Sequence, residues 1–521
     1  MMGSEGGPIP AALLAPLDQL LVSGSDNRLA LDQKTRLNSY GCAAVPQPAT
    51  ISFASTTASS ISTRGFAAAR AAHAHFVGAR RRGDEYMIFD RILARLRTRL
   101  KQAFAINDPE VETVLAPSGT DAQLAALFIA RATLGAPITS IVVGAEETGS
   151  GTRHTVRGQH FASVTAHGIP VAKGEVIEGF DDIAAQIDVP VRNRDGTARG
   201  MDEIDASVMA AIGLARAEGQ KVLLIAMDQS KSGLGGPSNE CLRAVRMHWN
   251  EDVEIVVDAC QGRIAPKAID VHLAEGRMVL MTGSKFYSGP PFSGAVFVPP
   301  RLADRLEDVC EVPAGLCDYS GRSEWPTRWT GIRAALPDTV NAGMWLRWEA
   351  ALAEIEAYNA VPHEFRALAL NCFAQALPAT LAEFSYCQAV DSFPPSDALR
   401  TIYPFVVIKD GEPLSCAAAR IAYNKLNDDL SADLPTTVGA DERDLASRLC
   451  HIGQPFALRS ASGREIGALR ISADARLISN SWQPGDQHGS MNRIDRTIDG
   501  VRTVLEKIGL ILQHHNFKEL N

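Results

Sequence analysis

Glu254-Ile255-Val256-Val257-Asp258-Ala259-Cys260-Gln261 is an apolar run that ends on an acid, and Thr282-Gly283-Ser284-Lys285-Phe286 closes a second apolar run. Lys285 stands 27 residues after Asp258. An acid at the end of so apolar a strand is costly to bury unless a cation answers it; otherwise it caps the next turn. A lysine set among Phe286, Tyr287 and Phe292 is placed for desolvation, which lowers its pKa and makes it nucleophilic towards an aldehyde. The alternative is a surface lysine whose stem rests on apolar groups.

Helix and strand alternate outward from this pair. Strands are expected over 111–115, 140–143, 222–227, 254–257, 278–282 and 295–298. Helices are expected from about Gly65, over 87–104 with Ile88, Leu93, Leu96 and Leu100 as its apolar residues, and over 121–134, 206–218 and 241–249. Near-continuous Val/Ile/Leu strands separated by helices mark a mostly parallel sheet buried on both faces. The reading is an α/β chain with a large domain over 66–338. A long amphipathic helix over 339–358 then leads into a smaller C-terminal α+β domain, so that helix and domain occupy 339–521. That domain has strands over 402–408 and 467–472 and helices over 417–427 and 492–512. Residues 1–65 form an N-terminal arm. Its Ser/Thr-rich stretch 51–63 reads as a surface linker or as a segment lining an active site; hydroxyl residues without a free linker's charges favour the second. Residues 187–202 read as a surface excursion.

In an open parallel sheet, ligands bind outside the carboxyl ends of the strands. After the strand ending at Leu115 come Pro117-Ser118-Gly119-Thr120-Asp121 and a helix. Such a turn aims backbone N–H groups and a positive dipole end at an anion such as phosphate, although Ser and Asp are also ordinary N-caps. A phosphate-binding turn, an acidic strand end and a hydroxyl-flanked lysine, in that order, resemble the fold type I pyridoxal phosphate (PLP) enzymes. Asp258-Ala259-Cys260-Gln261 resembles the Asp-Ala-x-Gln strand end of the class V aminotransferase and cysteine desulfurase-like superfamily. Leu469-Arg470-Ile471-Ser472 is similar to its C-terminal Arg-x-Ser strand, and the helix after it carries Asn492, Asp495 and Asp499, as in that group. The resemblance spans about residues 50–512.

The resemblance implies a mostly parallel sheet of the seven-stranded type between helices, and a role for each matching residue. Lys285 would form the Schiff base with the cofactor and shuttle the proton at the substrate Cα. Asp258 would pair with the pyridinium nitrogen, and Gln261 would hydrogen-bond the ring hydroxyl. Ser118, Gly119, Thr120 and Thr282 would hold the phosphate, with Ser284 beside it. Ser230 falls where the family has an Asn that touches the ring hydroxyl. Arg470 would clamp the substrate carboxylate with a planar fork that lysine lacks; on a surface it would instead pair with an acid such as Asp474. Thr330-Gly331 is a degenerate match to the segment that a second subunit adds to the phosphate site, which implies a homodimer.

The departures are informative. Where the family has Glu-His, with the His stacked on the ring, this chain has Glu146-Glu147-Thr148-Gly149-Ser150. Glu147 or Thr148 covers the ring, or His154 reaches back. Some desulfurases carry a nucleophilic Cys between His and Gln-Pro; in His451-Ile452-Gly453-Gln454-Pro455 that place is Ile452. Cys450 is expected to face the other side of this extended segment, as a buried structural thiol.

Composition sets the outer bounds. With 46% hydrophobic and 21% charged residues the chain is globular. The net charge of −9 opposes nucleic-acid binding without a local basic patch. The sequence holds no apolar run long enough to span a bilayer, and Met1–Pro10 does not read as a signal peptide. Nine cysteines without a Cys-x-x-Cys pair indicate reduced thiols, no metal site and a cytoplasmic setting. The expected activity is that of a PLP enzyme on an amino acid. Transamination is favoured because Lys285, Asp258 and Arg470 suffice for it. The alternatives are elimination across Cα and Cβ, or a PLP-fold binding protein without turnover.

Overall fold

The computed structural model describes residues 11–79, 85–135, 137–392, 400–460 and 462–515; the reading of Met1–Pro10 lies outside them. Thirteen strands occur among these residues: β1 Ile51–Phe53, β2 Glu112–Ala116, β3 Ile138–Val143, β4 Ile183–Val189, β5 Lys221–Met227, β6 Val253–Ala259, β7 Met278–Thr282, β8 Gly294–Val298, β9 Cys387–Ala389, β10 Ile402–Lys409, β11 Glu412–Pro413, β12 Cys450–Arg459 and β13 Glu465–Ser472. Seven form one sheet in the order β2-β8-β7-β6-β5-β3-β4, in which only β8 runs against its neighbours. This is the mostly parallel α/β sheet expected from the apolar runs.

Side-chain alternation divides the strands between two layers. Leu223 and Ile225 face a core shared with the helix Gly119–Leu134, while Val222 and Leu224 face the helices Met201–Ala217 and Asn239–Trp249. Nearer the other edge, Val279, Met281 and Phe297 pack on the helices Glu85–Ala103 and Ala342–Asn359. With both faces covered, the central strands are buried along almost their whole length and mostly apolar, which made them legible.

Residues 187–202 are a correction. Their start belongs to β4, which runs parallel to β3 at the sheet edge. Ala184, Ala185 and Asp188 are exposed there, so the strand lacks the continuous apolar run of its neighbours.

The smaller sheet has the order β1-β12-β13-β10-β11, with β9 also on β10. Its strand from the N-terminal arm, β1, pairs in parallel with β12, Ile51 opposite Cys450 and Phe53 opposite Ile452. The helices Cys416–Leu426 and Gln487–His514 bury their apolar faces against this sheet, as does the helix His363–Ala382, for which the sequence gives no clear pattern. Arg347, fully buried in the helix Ala342–Asn359, donates to the carbonyls of Phe292, Leu21, Ser23 and Gly24 and so ties the arm to the large sheet. No helix among the described residues is long and apolar enough to cross a membrane.

Candidate active site

The carboxyl ends of the parallel strands and the turns after them converge on one cavity of about 480 Å³. Ser118, Gly119, Thr120, Asp258, Gln261, Thr282, Ser284, Lys285 and Arg470 all line it. Residues from both sheets therefore meet as the motif order implies.

Lys285 follows β7 and directs Nζ at the arm, donating to the carbonyl of Thr57 at 2.6 Å and to that of Thr56 at 3.3 Å. Burial, then the nearby Arg470 and Lys231, push its pKa down to about 7. The expected desolvation is present, but Phe286 and Tyr287 point into the core beneath the lysine, and only Phe292 of the three aromatics lines the cavity.

Asp258 is the penultimate residue of β6. Its Oδ2 accepts from Gln123 Nε2 at 2.9 Å and its Oδ1 from the Cys260 amide at 3.0 Å. Thr155 Oγ1 donates to Gln123 Oε1 at 3.2 Å, fixing that amide so that its NH2 faces the carboxylate. Gln261 donates to the Thr56 carbonyl at 3.2 Å while its own Oε1 accepts from Arg263 at 2.9 Å. Asp228, at the end of β5, has its carboxyl raised to about 7 by burial and by Asp258. The Cys260 thiol lines the cavity, but burial and Asp258 hold its pKa well above the ordinary value, so it is no thiolate at neutral pH.

Ser118 caps the helix Gly119–Leu134. Its Oγ accepts from the Thr120 and Asp121 amides, both at 3.2 Å, and donates to Asp121 Oδ2. The capping reading of this turn is therefore correct, and the cavity also receives the Gly119 backbone and Thr120. A Cβ on Gly119 would lie 2.9 Å from Cys260 Sγ and 3.1 Å from Thr282 Cγ2. Only glycine lets β2, β6 and β7 close so tightly around this turn.

Arg470 sits on β13 between β10 and β12 and reaches into the cavity. It donates to the Gln454 carbonyl through Nε at 3.1 Å and through Nη2 at 2.5 Å, to Thr57 Oγ1 at 3.0 Å, and to the Lys231 carbonyl at 3.4 Å. The alternative pairing is absent: Asp474 caps the helix Ala475–Ser481 by accepting from the Leu477 amide.

Two expectations, for Ser230 and for Cys450, are corrected. Ser230 is buried but does not line the cavity, because its hydroxyl is turned to Glu147 at 2.5 Å. Thr330, expected to serve the site of a second subunit, is exposed at the start of the helix Thr330–Ala335 and lies away from this chain's own cavity. Cys450 and Ile452 point the same way, into the small-sheet core, because residues two apart on a strand share a face. Cys450 is buried, with its thiol pushed up to about 11 by burial. Of the ring-covering options, Glu147 and Thr148 line the cavity and His154 does not. Glu147 is itself held by Arg192 and by Ser230 and Ser232.

Further lining residues were not expected from the sequence: Arg28 and Tyr40 of the arm, Lys231 after β5, and Arg420 on the helix Cys416–Leu426. Arg28 is paired with Asp26 and lies 4.6 Å over the Phe292 ring. No local motif marks these residues; only the fold brings them together.

Tested for a fit to PLP, the donor set agrees. A lysine of depressed pKa, a strand-end carboxylate and a hydroxyl-rich helix turn occupy separate parts of one cavity. Thr56, which also lines that cavity, has its Oγ1 buried without a hydrogen-bond partner among the described residues.

The fold is that of the fold type I PLP enzymes. The cystine C–S lyase C-DES, in complex with its product cysteine persulfide, superposes with a TM-score of 0.50 and 14% identity over 86% of this chain and 97% of that one. A mutant of C-DES with glycine covalently linked to the PLP cofactor gives 0.49 at 16% identity, over 86% and 96% of the chains. A NifS-like protein from Rickettsia africae ESF-5 gives 0.46 at 10% identity, over 88% and 99%. No family model and no curated protein matches the sequence.

Proposed function

We propose that the chain is a PLP-dependent enzyme that works at the Cα of an amino acid, and that its reaction is elimination of a group on Cβ. The observation that carries the reading is Lys285: a lysine brought down to about 7 in a cavity that also presents Asp258 and Arg470. Elimination is favoured over the transamination expected from the sequence because the superposed C-DES is a C–S lyase. Transamination is the second reading, since the same three side chains serve it.

When bound, the cofactor withdraws electrons from Cα and makes its proton acidic. Asp258 would hold the proton on the ring nitrogen, with Gln123 keeping the carboxylate in place. Gly119, Thr120, Thr282 and Ser284 would seat the phosphate, and Gln261 the ring hydroxyl. Arg470 would orient the α-carboxylate so that the Cα–H bond faces Lys285. With a pKa near neutrality, Lys285 can take that proton and return it at physiological pH. A homodimer in which Thr330 completes the partner's phosphate site belongs to the same reading.

Two assays on one preparation test this: release of pyruvate and ammonia, and keto-acid-dependent amino transfer. The purified protein is expected to be yellow, and Lys285→Ala to lose that absorption band and all turnover. Retention of the band in Lys285→Ala would remove the lysine from its role. Amino transfer without elimination would replace the first reaction by the second.

A further inference from the structure

Besides Arg28 and Lys285, the cavity is lined by Arg470 and two further basic residues, Lys231 and Arg420. The Lys231 carbonyl accepts from Arg470 Nη1 at 3.4 Å, which places Lys231 directly beside the arginine, and its side chain lines the cavity together with Arg420. Burial with Arg470, Arg153 and Arg420 nearby depresses the Lys231 ammonium to about 8, against the opposing pull of Glu147.

These charges are uncompensated. Among the described residues, none of Lys231, Arg420 and Arg470 has a carboxylate within 4.0 Å. Of the glutamates lining the cavity, Glu147 is held by Arg192 and its two serines and Glu146 accepts from the Val191 amide at 3.0 Å, while Asp188, outside it, pairs with Arg153. Arg420 lies 5.7 Å over the Tyr423 ring, and Arg470 5.3 Å over the Phe456 ring. Aromatic faces hold the guanidinium planes but leave their full charge to a ligand.

One α-carboxylate occupies one planar fork. It would leave Lys231 and Arg420, half-buried in the same cavity, without an anion. A substrate with a neutral side chain would pay for desolvating both and return nothing. We propose that Lys231 and Arg420 form a subsite for a second anionic group, so that the substrate is an amino acid whose side chain carries a carboxylate or comparable acid. This rests on the assignment of the cavity to a PLP-dependent enzyme acting on amino acids, and on Arg470 as the α-carboxylate clamp.

The test uses two isosteric pairs, S-carboxymethyl-L-cysteine with S-carbamoylmethyl-L-cysteine, and L-glutamate with L-glutamine. Each is titrated into the PLP-loaded protein, and affinity is read from the change in the cofactor absorption band, a signal independent of turnover. The acidic member of at least one pair should bind tenfold or more tightly than its neutral isostere. In Lys231→Gln and in Arg420→Gln that ratio should fall at least threefold, and raised salt should weaken the acidic member more than the neutral one. Should Lys231→Gln fail to fold, Arg420→Gln carries the test alone. Binding of both members of each pair with a ratio near one would overturn the second-anion subsite and leave the enzyme assignment standing. No spectral response to any amino acid would instead overturn the assignment on which the subsite rests.

Discussion

Replacing Lys285 with methionine should stabilise the cofactor-free protein. An ordinary lysine titrates near 10.5, whereas burial and the adjacent cations bring Lys285 down to about 7. The folded chain therefore binds its proton more weakly than the unfolded chain. Between about pH 7 and 10.5 the unfolded state holds more protons, so this group makes stability rise with pH across that window and contributes no slope outside it. At pH 7 the linkage amounts to about 4 kcal/mol against keeping the lysine in the fold. Methionine is close in volume and carries no proton. It forfeits the two bonds to the Thr56 and Thr57 carbonyls, about 1 kcal/mol each. The net expectation is a gain of about 2 kcal/mol at pH 7, shrinking to nothing or reversing near pH 10. Urea denaturation of both proteins, freed of cofactor, at half-unit steps from pH 6 to 10 reads the difference directly. If the variant were no more stable at pH 7, and the two pH profiles ran parallel, Lys285 would not be the desolvated base described above.

Arg470→Lys should weaken amino-acid binding by at least tenfold while leaving the cofactor band unchanged, because a point charge cannot reproduce the planar fork; spectral titration with amino acids checks it. Asp258→Ala should fold normally but lose more than tenfold in turnover, equivalent to about 1.4 kcal/mol, with the loss showing in the exchange of the Cα proton for deuterium. Gly119→Ala should cost about 1–3 kcal/mol of stability through overpacking and weaken cofactor retention on dialysis, since its Cβ would press on Cys260 and Thr282. After incubation with cysteine, mass spectrometry should find no persulfide on Cys450, which lies in the small-sheet core with its thiol pushed up to about 11.

Much of the fold and the centre of the site were legible in the sequence, for one physical reason. Strands such as β6 and β7 are buried on both faces, so their apolar runs are continuous and a polar residue at their ends stands out. Asp258 and Lys285 are such residues. Where burial is one-sided the signal fades: β4 lies at an edge with three exposed residues, and the helix His363–Ala382 contains Pro378. Ser230 stands close in sequence to the cavity but satisfies a buried Glu147 instead, a choice made by a side chain 83 residues away. Arg28 and Arg420 reach the cavity from chain segments with no motif of their own, and only the tertiary path brings them there. The alternation of β12 was misread at Cys450, although the period-two rule alone decides it.

The parallel pairing of Ile51 with Cys450 also bears on how the protein comes into being on the ribosome. The floor of the cavity, with Asp258 and Lys285, belongs to a sheet whose last strand ends at Val298. The side chains that close over it, Gln454 and Arg470, are translated on the order of 10–30 s later. Until β12 emerges, β1 has no strand beside it, and the Thr56–Thr57 loop has only Gln261 and Lys285, not a neighbouring strand, to fix it. On the reading proposed above, a nascent chain builds the cofactor platform before the residues that would grip an amino acid. The closing pieces arrive last, when β12 returns to lie beside β1.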